Sequence, residues 1–535
     1  MTTRKARRVG AVVSTVSVAA LVLAACQTVS VPESTVLTVA SDRTTHVPLN
    51  CTADDAPCEG TVAVRVGGLD SPAVSFNIPQ ASSASVTVTL TTAQDALVPS
   101  SGAVSGQVLL DQSAPSDEEP STADVLLRRQ PPPIDMVSTA ADGTQANQGS
   151  AAPSLTDDGR FVAFESFATN LVTTPTSTGG QVYVKDRVLG TVDRVSVAGD
   201  GTPGDADSGS ASISNFGRYV AFSSLADNLV SGDVNGRSDV FVRDRTAGTT
   251  TRVSVSSSGT EGNDDSTAPA ISGDGRWVAF TSSASNLVTS DVPGSGDVFL
   301  FDRNNGTTTR VSTGVGGAQP NGDSYGATVS DNGQFVAFLS DASNLVAGDT
   351  NGVTDVFVWD RVAGTTTRVS VATDGTEADA PAQDAMIAGG GGFVAFWTDA
   401  ANLVTGDTNG KFDVFVRDLT AATTSRVSVA SDGAEAQGYS LDAAISDDGR
   451  YVSFRSDAVN LDAGVTGTHW DVFLHDRTAG TTILATLGHD GSPIDGDIDD
   501  VALSGGGTVL GFTSSSTNIV VGDGNGVADV FAQEH

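Results

Sequence analysis

The sequence predicts an all-β chain whose larger part is one unit copied seven times. Three observations carry that prediction. Phe161, Tyr219, Trp277, Phe335, Phe393, Tyr451 and Val509 stand 58 residues apart. Tyr183, Phe241, Phe299, Phe357, Phe415, Phe473 and Phe531 keep the same spacing, as do Asn170, Asn228, Asn286, Asn344, Asn402, Asn460 and Asn518. The composition, 39% apolar with 17% charged residues and 59 glycines, is that of a turn-rich β chain and not of a disordered one. A period without drift marks a repeat architecture, in which each unit buries its apolar faces on its neighbours.

Residues 1–26 read MTTRKARRVGAVVSTVSVAALVLAAC. A basic start followed by an apolar run from Val9 to Ala25 suits an export signal better than a stable spanning helix. Leu23, Ala24, Ala25 and Cys26 resemble the lipobox of bacterial lipoproteins. The resemblance implies a signal peptide over 1–25, lipid on Cys26, and anchoring at the cell envelope on the extracytoplasmic side.

Residues 26–130 lie outside the repeat and read as a short tether and a small β-sandwich-like domain. The strand runs are TVLTVAS, TVAVRVG, AVSFNIP, SVTVTLT, VSGQVLLD and ADVLLRR. Alternation in SVTVTLT puts Val86, Val88 and Leu90 on one face and threonines on the other. Cys51 and Cys58 are expected to form a disulfide in an exported chain; two cysteines without a nearby histidine make a poor zinc site. Pro131 to Pro133 form a stiff linker and a domain boundary.

Within the repeat region, 134–535, each copy splits into four strands. In the second copy they are GSASIS, RYVAFSS, DVFVRD and TTRVSV. The first is made of small residues, the middle two are apolar on both faces, and the last alternates. Strands apolar on both faces must be covered on both, while an alternating strand can leave one face wet. This gradient fits a β-propeller blade, small at the axis and alternating at the rim. The last copy stops at DVFAQEH without a fourth strand, and the orphan segment IDMVSTAADGTQAN (134–147) matches the missing piece. The expected fold is a seven-bladed β-propeller closed by an N-terminal outer strand, which removes two open sheet edges.

The motif DGRYVAF…DVFVRD resembles the TolB-type propeller repeat, a relative of WD repeats. It is clear in SDDGRYVSF (446–454) and weaker in AGGGGFVAF (388–396). The resemblance implies an exported, non-catalytic binding protein of the cell envelope. Seven copies, an apparent lipid anchor and the β domain depart from that family, so its particular partner does not carry over.

The net charge is -36, and about four units more negative without Arg4, Lys5, Arg7 and Arg8. Such a surface repels phosphates, which argues against nucleic-acid binding, and attracts cations and basic partners. Strand order puts the loop between strands two and three on the same side as the loop between strand four and the next copy. Both loops are acidic. The pattern D-x-N-G-x-x-D recurs as Asp233, Asn235, Asp239; Asp349, Asn351, Asp355; Asp407, Asn409, Asp413; and Asp523, Asn525, Asp529. Two readings stand. The oxygens suit Ca²⁺ in a shortened calcium loop; alternatively Asn-Gly is a favoured turn and the second aspartate binds turn amides.

No G-x-S-x-G elbow is present, and no catalytic residues are assigned. His469 and His475 are spaced to share a strand face as a metal pair, though rim positions suit them better. A propeller hydrolase or lactonase would need carboxylates converging at the axis, for which Asp264, Asp323, Asp495 and Asp499 are the candidates. The expected function is therefore a binding or scaffolding role for a protein, peptide or envelope polymer, with the hydrolase as the alternative.

Overall fold

The computed structural model describes residues 29–30, 36–40, 43–51, 58–78, 83–95, 104–112, 121–129, 134–174, 179–289, 291–462, 465 and 469–535. The chain divides into two compact units, residues 1–130 and 131–535. The export signal, Cys26 and the proline linker lie outside the described residues, as do the side chains of Cys51 and Cys58.

The first unit contains two sheets. One orders Val29–Ser30, Thr44–Cys51 and Ser83–Thr89. The other orders Val36–Val39, Ser121–Arg129, Val104–Gln112, Cys58–Val66 and Leu69–Asp70, with Val74–Ile78 also paired to Cys58–Val66. Val47, Leu49 and Val88 of the first sheet share one core with Leu37, Val62, Val64 and Val108 of the second. Burial between two sheets is the sandwich arrangement. Strand 44–51 escapes the sequence reading because TTHVPLNC carries a proline. Pro48 is tolerated because, among the described residues, only Cys51 and Asn50 of this strand pair on its other edge.

The second unit contains seven four-stranded antiparallel sheets among its described residues. The second sheet is typical: Ser208–Ile213, Tyr219–Ser224, Asp239–Asp244 and Thr249–Arg252, in chain order. The seventh differs. Its strands Ile498–Leu503, Val509–Ser514 and Asp529–Glu534 take their fourth partner from Ile134–Met136. The register pairs Ile134 with Gln533, Asp135 with Ala532 and Met136 with Phe531. The Val137 amide then donates to the Val530 carbonyl at 2.7 Å.

Each sheet packs on the next because the middle strands are apolar on both faces. Val240 and Val242 join the core shared with Phe280 and Phe299 of the third sheet. Phe222 and Phe241 point the other way, into the core shared with Val182 and Val184 of the first. The two rings stack with centroids 5.8 Å apart, and an equivalent aromatic pair recurs in every sheet. The seventh sheet packs against the first, since Val509 and Val530 share a core with Val162 and Phe164. The Gly506 amide also donates to the Asp157 carbonyl at 2.9 Å, and the Ala152 amide to Asp500 Oδ2 at 3.1 Å. Sheets that follow one another in this way and return to the first form a closed β-propeller.

Candidate functional site

The loop face is built by the repeated asparagine. Asn402 Nδ2 donates to the Glu377 carbonyl at 2.8 Å, and its Oδ1 accepts from the Asp379 amide at 3.2 Å. Asn170, Asn228, Asn286, Asn344, Asn460 and Asn518 make the same two bonds. Each clamp ties the loop between strands two and three to the loop entering the same copy. The two loops therefore share one face, held by backbone contacts. Asp205, Asp227, Asp265, Asp323, Asp341 and Asp399 stand exposed on these loops.

Beneath that face lie the D-x-N-G-x-x-D residues, and most copies already contain a cation there. In the fourth copy Arg368 Nη1 lies 3.1 Å from Asp349, 3.3 Å from Asp355 and 2.5 Å from Glu377. In the fifth, Arg426 Nη1 lies 3.5 Å from Asp407, 3.3 Å from Asp413 and 2.5 Å from Glu435. In the second, Arg252 Nη1 lies 3.1 Å from Asp233 and 3.2 Å from Asp239, and also pairs with Glu261. Oxygens of Asp233, Asp239 and Glu261 come within 4.8 Å of one another, as do those of Asp407, Asp413 and Glu435. That is the spacing of a metal cage, with a guanidinium at its centre. The third copy uses Arg310 with Asp291 at 3.1 Å, Asp297 at 3.7 Å and the Gln319 amide.

The asparagines serve the turn. Asn351 Nδ2 donates to Asp355 Oδ2 at 3.0 Å, and Asn409 Oδ1 accepts from the Lys411 amide at 2.6 Å. The second aspartate does not bind turn amides as the sequence reading allowed. It is buried and accepts from a serine hydroxyl: Ser370 on Asp355 and Ser428 on Asp413, both at 2.5 Å, and Ser254 on Asp239. Burial pushes the carboxyls of Asp239, Asp355 and Asp413 above their usual range, and the hydroxyl, arginine and asparagine partners pull back. In the closing sheet Asp529 keeps Ser138 at 2.5 Å and Asn525 at 2.6 Å, beside Asp523.

The opposite face is structural. Arg218 grips Asp244 with two bonds, 3.1 and 2.7 Å, while Asp244 Oδ1 accepts from the Thr246 and Ala247 amides at 3.0 Å. The Arg218 guanidinium holds the Asp244 carboxyl down at about 2. The next arginine reaches the preceding sheet. Arg303 lies 4.2 Å over Tyr219, and Arg361 4.0 Å over Trp277. Tyr219 also carries Arg218 at 4.7 Å, so its ring sits against two guanidinia. His535 takes this arginine's place in the closing sheet, edge-on to Tyr451 with centroids 6.2 Å apart and its Nε2 2.5 Å from the Gly507 carbonyl oxygen.

The carboxylates that converge near the axis are not those expected. Asp264 pairs with Arg237 at 3.4 Å, Asp323 accepts the Gly296 amide at 3.0 Å, Asp495 is held by Thr517 at 2.8 Å, and Asp499 is exposed on the inner strand. Instead the turns between strands one and two link sheet to sheet around the ring. The Asp331 amide donates to the Gly389 carbonyl at 3.0 Å and the Asp447 amide to Gly505 at 2.9 Å. Asp157, Asp331 and Asp447 face one another there, with room left by Gly389 and Gly505. Burial, reinforced by Asp447 and Asp331, pushes Asp157 up to about 7; burial and Asp331 push Asp447 up to about 6. The signal was present in the sequence: aspartate opens this turn in three copies and asparagine or glycine in the others. The histidines do not pair. His475 is buried against Thr482 at 2.8 Å, whereas His469 precedes the strand and faces Asp497 at 3.5 Å.

No family model matches the chain, and no curated protein sequence matches it. Solved structures similar to it include a protein of Agrobacterium tumefaciens described as TolB, at 16% identity and a TM-score of 0.33, covering 52% of this chain and 80% of that one. An acylaminoacyl peptidase of Pyrococcus horikoshii is similar at 12% identity and a TM-score of 0.42, covering 72% of this chain and 52% of the peptidase. The WD40 repeats of RRP9 are similar at 11% identity and a TM-score of 0.39, covering 76% and 99%. Among the described residues no helix is long and apolar enough to cross a membrane.

Proposed function

We propose that the chain is an exported, lipid-anchored, seven-bladed propeller that binds a basic protein, peptide or envelope polymer at its acidic loop face, without catalysis. One observation carries the reading: asparagine clamps hold the loops rigid while Asp227, Asp341, Asp399 and their neighbours stay exposed. A preformed acidic surface loses little ordering entropy when a cationic partner docks, and it steers that partner from a distance. The anchor on Cys26 would keep this face at the envelope. The experiment is binding of a lysine-rich peptide to the full chain and to a variant carrying Asp265→Asn, Asp323→Asn and Asp341→Asn. Affinity should fall in the variant and with added salt. Equal affinity for both chains, or binding indifferent to salt, would refute the reading.

A second reading is supported by Asp157, Asp331 and Asp447 at the ring of turns: a hydrolase or lactonase working through these carboxylates and a metal. Raised carboxyls facing one another are the arrangement that general acid–base work uses. Turnover of a lactone or glycoside that disappears in Asp157→Asn and Asp447→Asn would favour this reading over the first.

A further inference from the structure

We propose that the closing sheet binds one calcium ion between Asp523 and Asp529, at the position that an arginine guanidinium fills in four other copies. The strand register fixes the comparison. Arg252, Arg310, Arg368 and Arg426 lie opposite Phe241, Phe299, Phe357 and Phe415. Opposite Phe531 the closing sheet has Met136. The first copy keeps Arg194 opposite Tyr183 but has Gln181 where the strand aspartate stands elsewhere. The sixth has Leu484 opposite Phe473 and Val465 in place of the loop aspartate. Four copies hold the arginine with both aspartates, the first keeps the arginine without the strand aspartate, and among the described residues only the closing sheet keeps both aspartates without the arginine.

Four equivalent sites in one molecule each hold a positive group at this spot, which points to a cation as the ligand of the closing sheet. The remaining donors are oxygens. Asp529 is fully buried, with Ser138 and Asn525 as its hydrogen-bond donors. The Gly522 carbonyl corresponds to those of Gly232 and Gly406, which accept arginine Nη2 at 3.2 and 3.3 Å. Here, among the described residues, it receives the Gln145 side-chain amide, at 3.0 Å. Gln145 Oε1 adds an oxygen beside the Gly524 amide, at 3.4 Å. A buried carboxylate facing a second, half-buried one without a counter-charge is unfavourable, and carboxylate and carbonyl oxygens with water completing the shell suit Ca²⁺ better than a softer metal. This inference stands apart from the partner proposed above, since it needs no partner to be tested.

The test is equilibrium dialysis of the full chain against radiolabelled CaCl₂ at physiological salt, alongside Met136→Arg and Asp523→Asn. The expected result is one saturable site per chain, of order 10⁻⁴ to 10⁻³ M, weakened at least about tenfold in both variants. About 5 mM Ca²⁺ should raise the Tm of the unaltered chain by about 1–3 °C and leave both variants unmoved. Met136→Arg should also raise Tm without calcium. If that variant fails to fold, Asp523→Asn decides alone. No saturable site below about 10 mM, or a site that survives these substitutions, would overturn the inference.

Discussion

Arg368→Met converts the fourth copy into the arrangement of the closing sheet, and its cost follows from the geometry. The Arg368 side chain is 9% exposed and faces Asp349 at 4%, Asp355 at 0% and Glu377 at 22%. Removing the cation strands two buried carboxylates, and breaking a buried pair by deleting one partner costs about 3–5 kcal/mol. For a ring of about 400 residues the unfolding entropy is about 0.8 kcal/mol/K, so Tm should drop by about 4–6 °C. Calorimetry with chelator, at low and at moderate salt, reads this directly. Adding Asp349→Asn to Arg368→Met should recover part of the loss, because one stranded charge is removed with the cation. The single variant should also acquire stabilisation by millimolar Ca²⁺ that the parent cage lacks. A Tm within 1 °C of the parent, or a double variant less stable than the single one, would refute the view that the guanidinium neutralises this cage.

Further outcomes follow from the same framework. Asn402→Ala loses the bonds to Glu377 and Asp379 and should cost about 1–3 kcal/mol in urea unfolding; a change below about 0.5 kcal/mol would mean that the clamp does not hold the loops. Leu419→Arg supplies, beside Phe335, the guanidinium that Arg361 and Arg477 place 4.0 and 4.7 Å over Trp277 and Phe393. It should add about 0.5–1 kcal/mol, and a lower urea midpoint would count against the stacking role. Asp157 is raised from 3.8 to about 7, so the folded chain holds a proton that the unfolded chain has lost, and stability falls as pH rises through that window. Asp157→Asn should therefore gain on the parent in Tm as pH goes from 5 to 8. A constant difference would place the carboxyl outside a repulsive cluster. Buried His475 and His535 act oppositely, adding stability above 6.5 that is lost as pH falls, and comparison with Asp157→Asn cancels their part.

The strands were legible because the repeat writes burial into sequence. Alternate residues of DVFVRD must each be apolar when neighbouring sheets cover both faces, and seven such runs leave no helical period. The orphan segment before the first copy was legible as an outer strand because Val137 and Gly143 stand 58 residues before Val195 and Gly201. The strand at 44–51 was not, because a proline interrupts its alternation and only three-dimensional pairing shows which edge is free. The acidic loops were read correctly as sharing a face, since strand order alone decides it. Their interior was not legible. Asp349, Asn351 and Asp355 are close in sequence and look like a metal loop, but Arg368 arrives from the adjacent strand and cannot be seen in a local motif. The axial aspartates failed similarly, because convergence around a ring depends on where each turn meets the next, which no single copy reveals.

The segment ahead of the first copy closes the ring by pairing Ile134–Met136 with the last strand. Native-state hydrogen exchange tests that most directly, read on the amides of Val137 and Val530, which bond to the Val530 carbonyl at 2.7 Å and Ser138 Oγ at 3.1 Å. Both should exchange as slowly as Val253 and Val240, their counterparts in the second sheet, and should speed up together when Ser138 is replaced by alanine. Rapid exchange at Val137 beside full protection at Val253 would mean an open edge in the last sheet, and the closed propeller would be wrong.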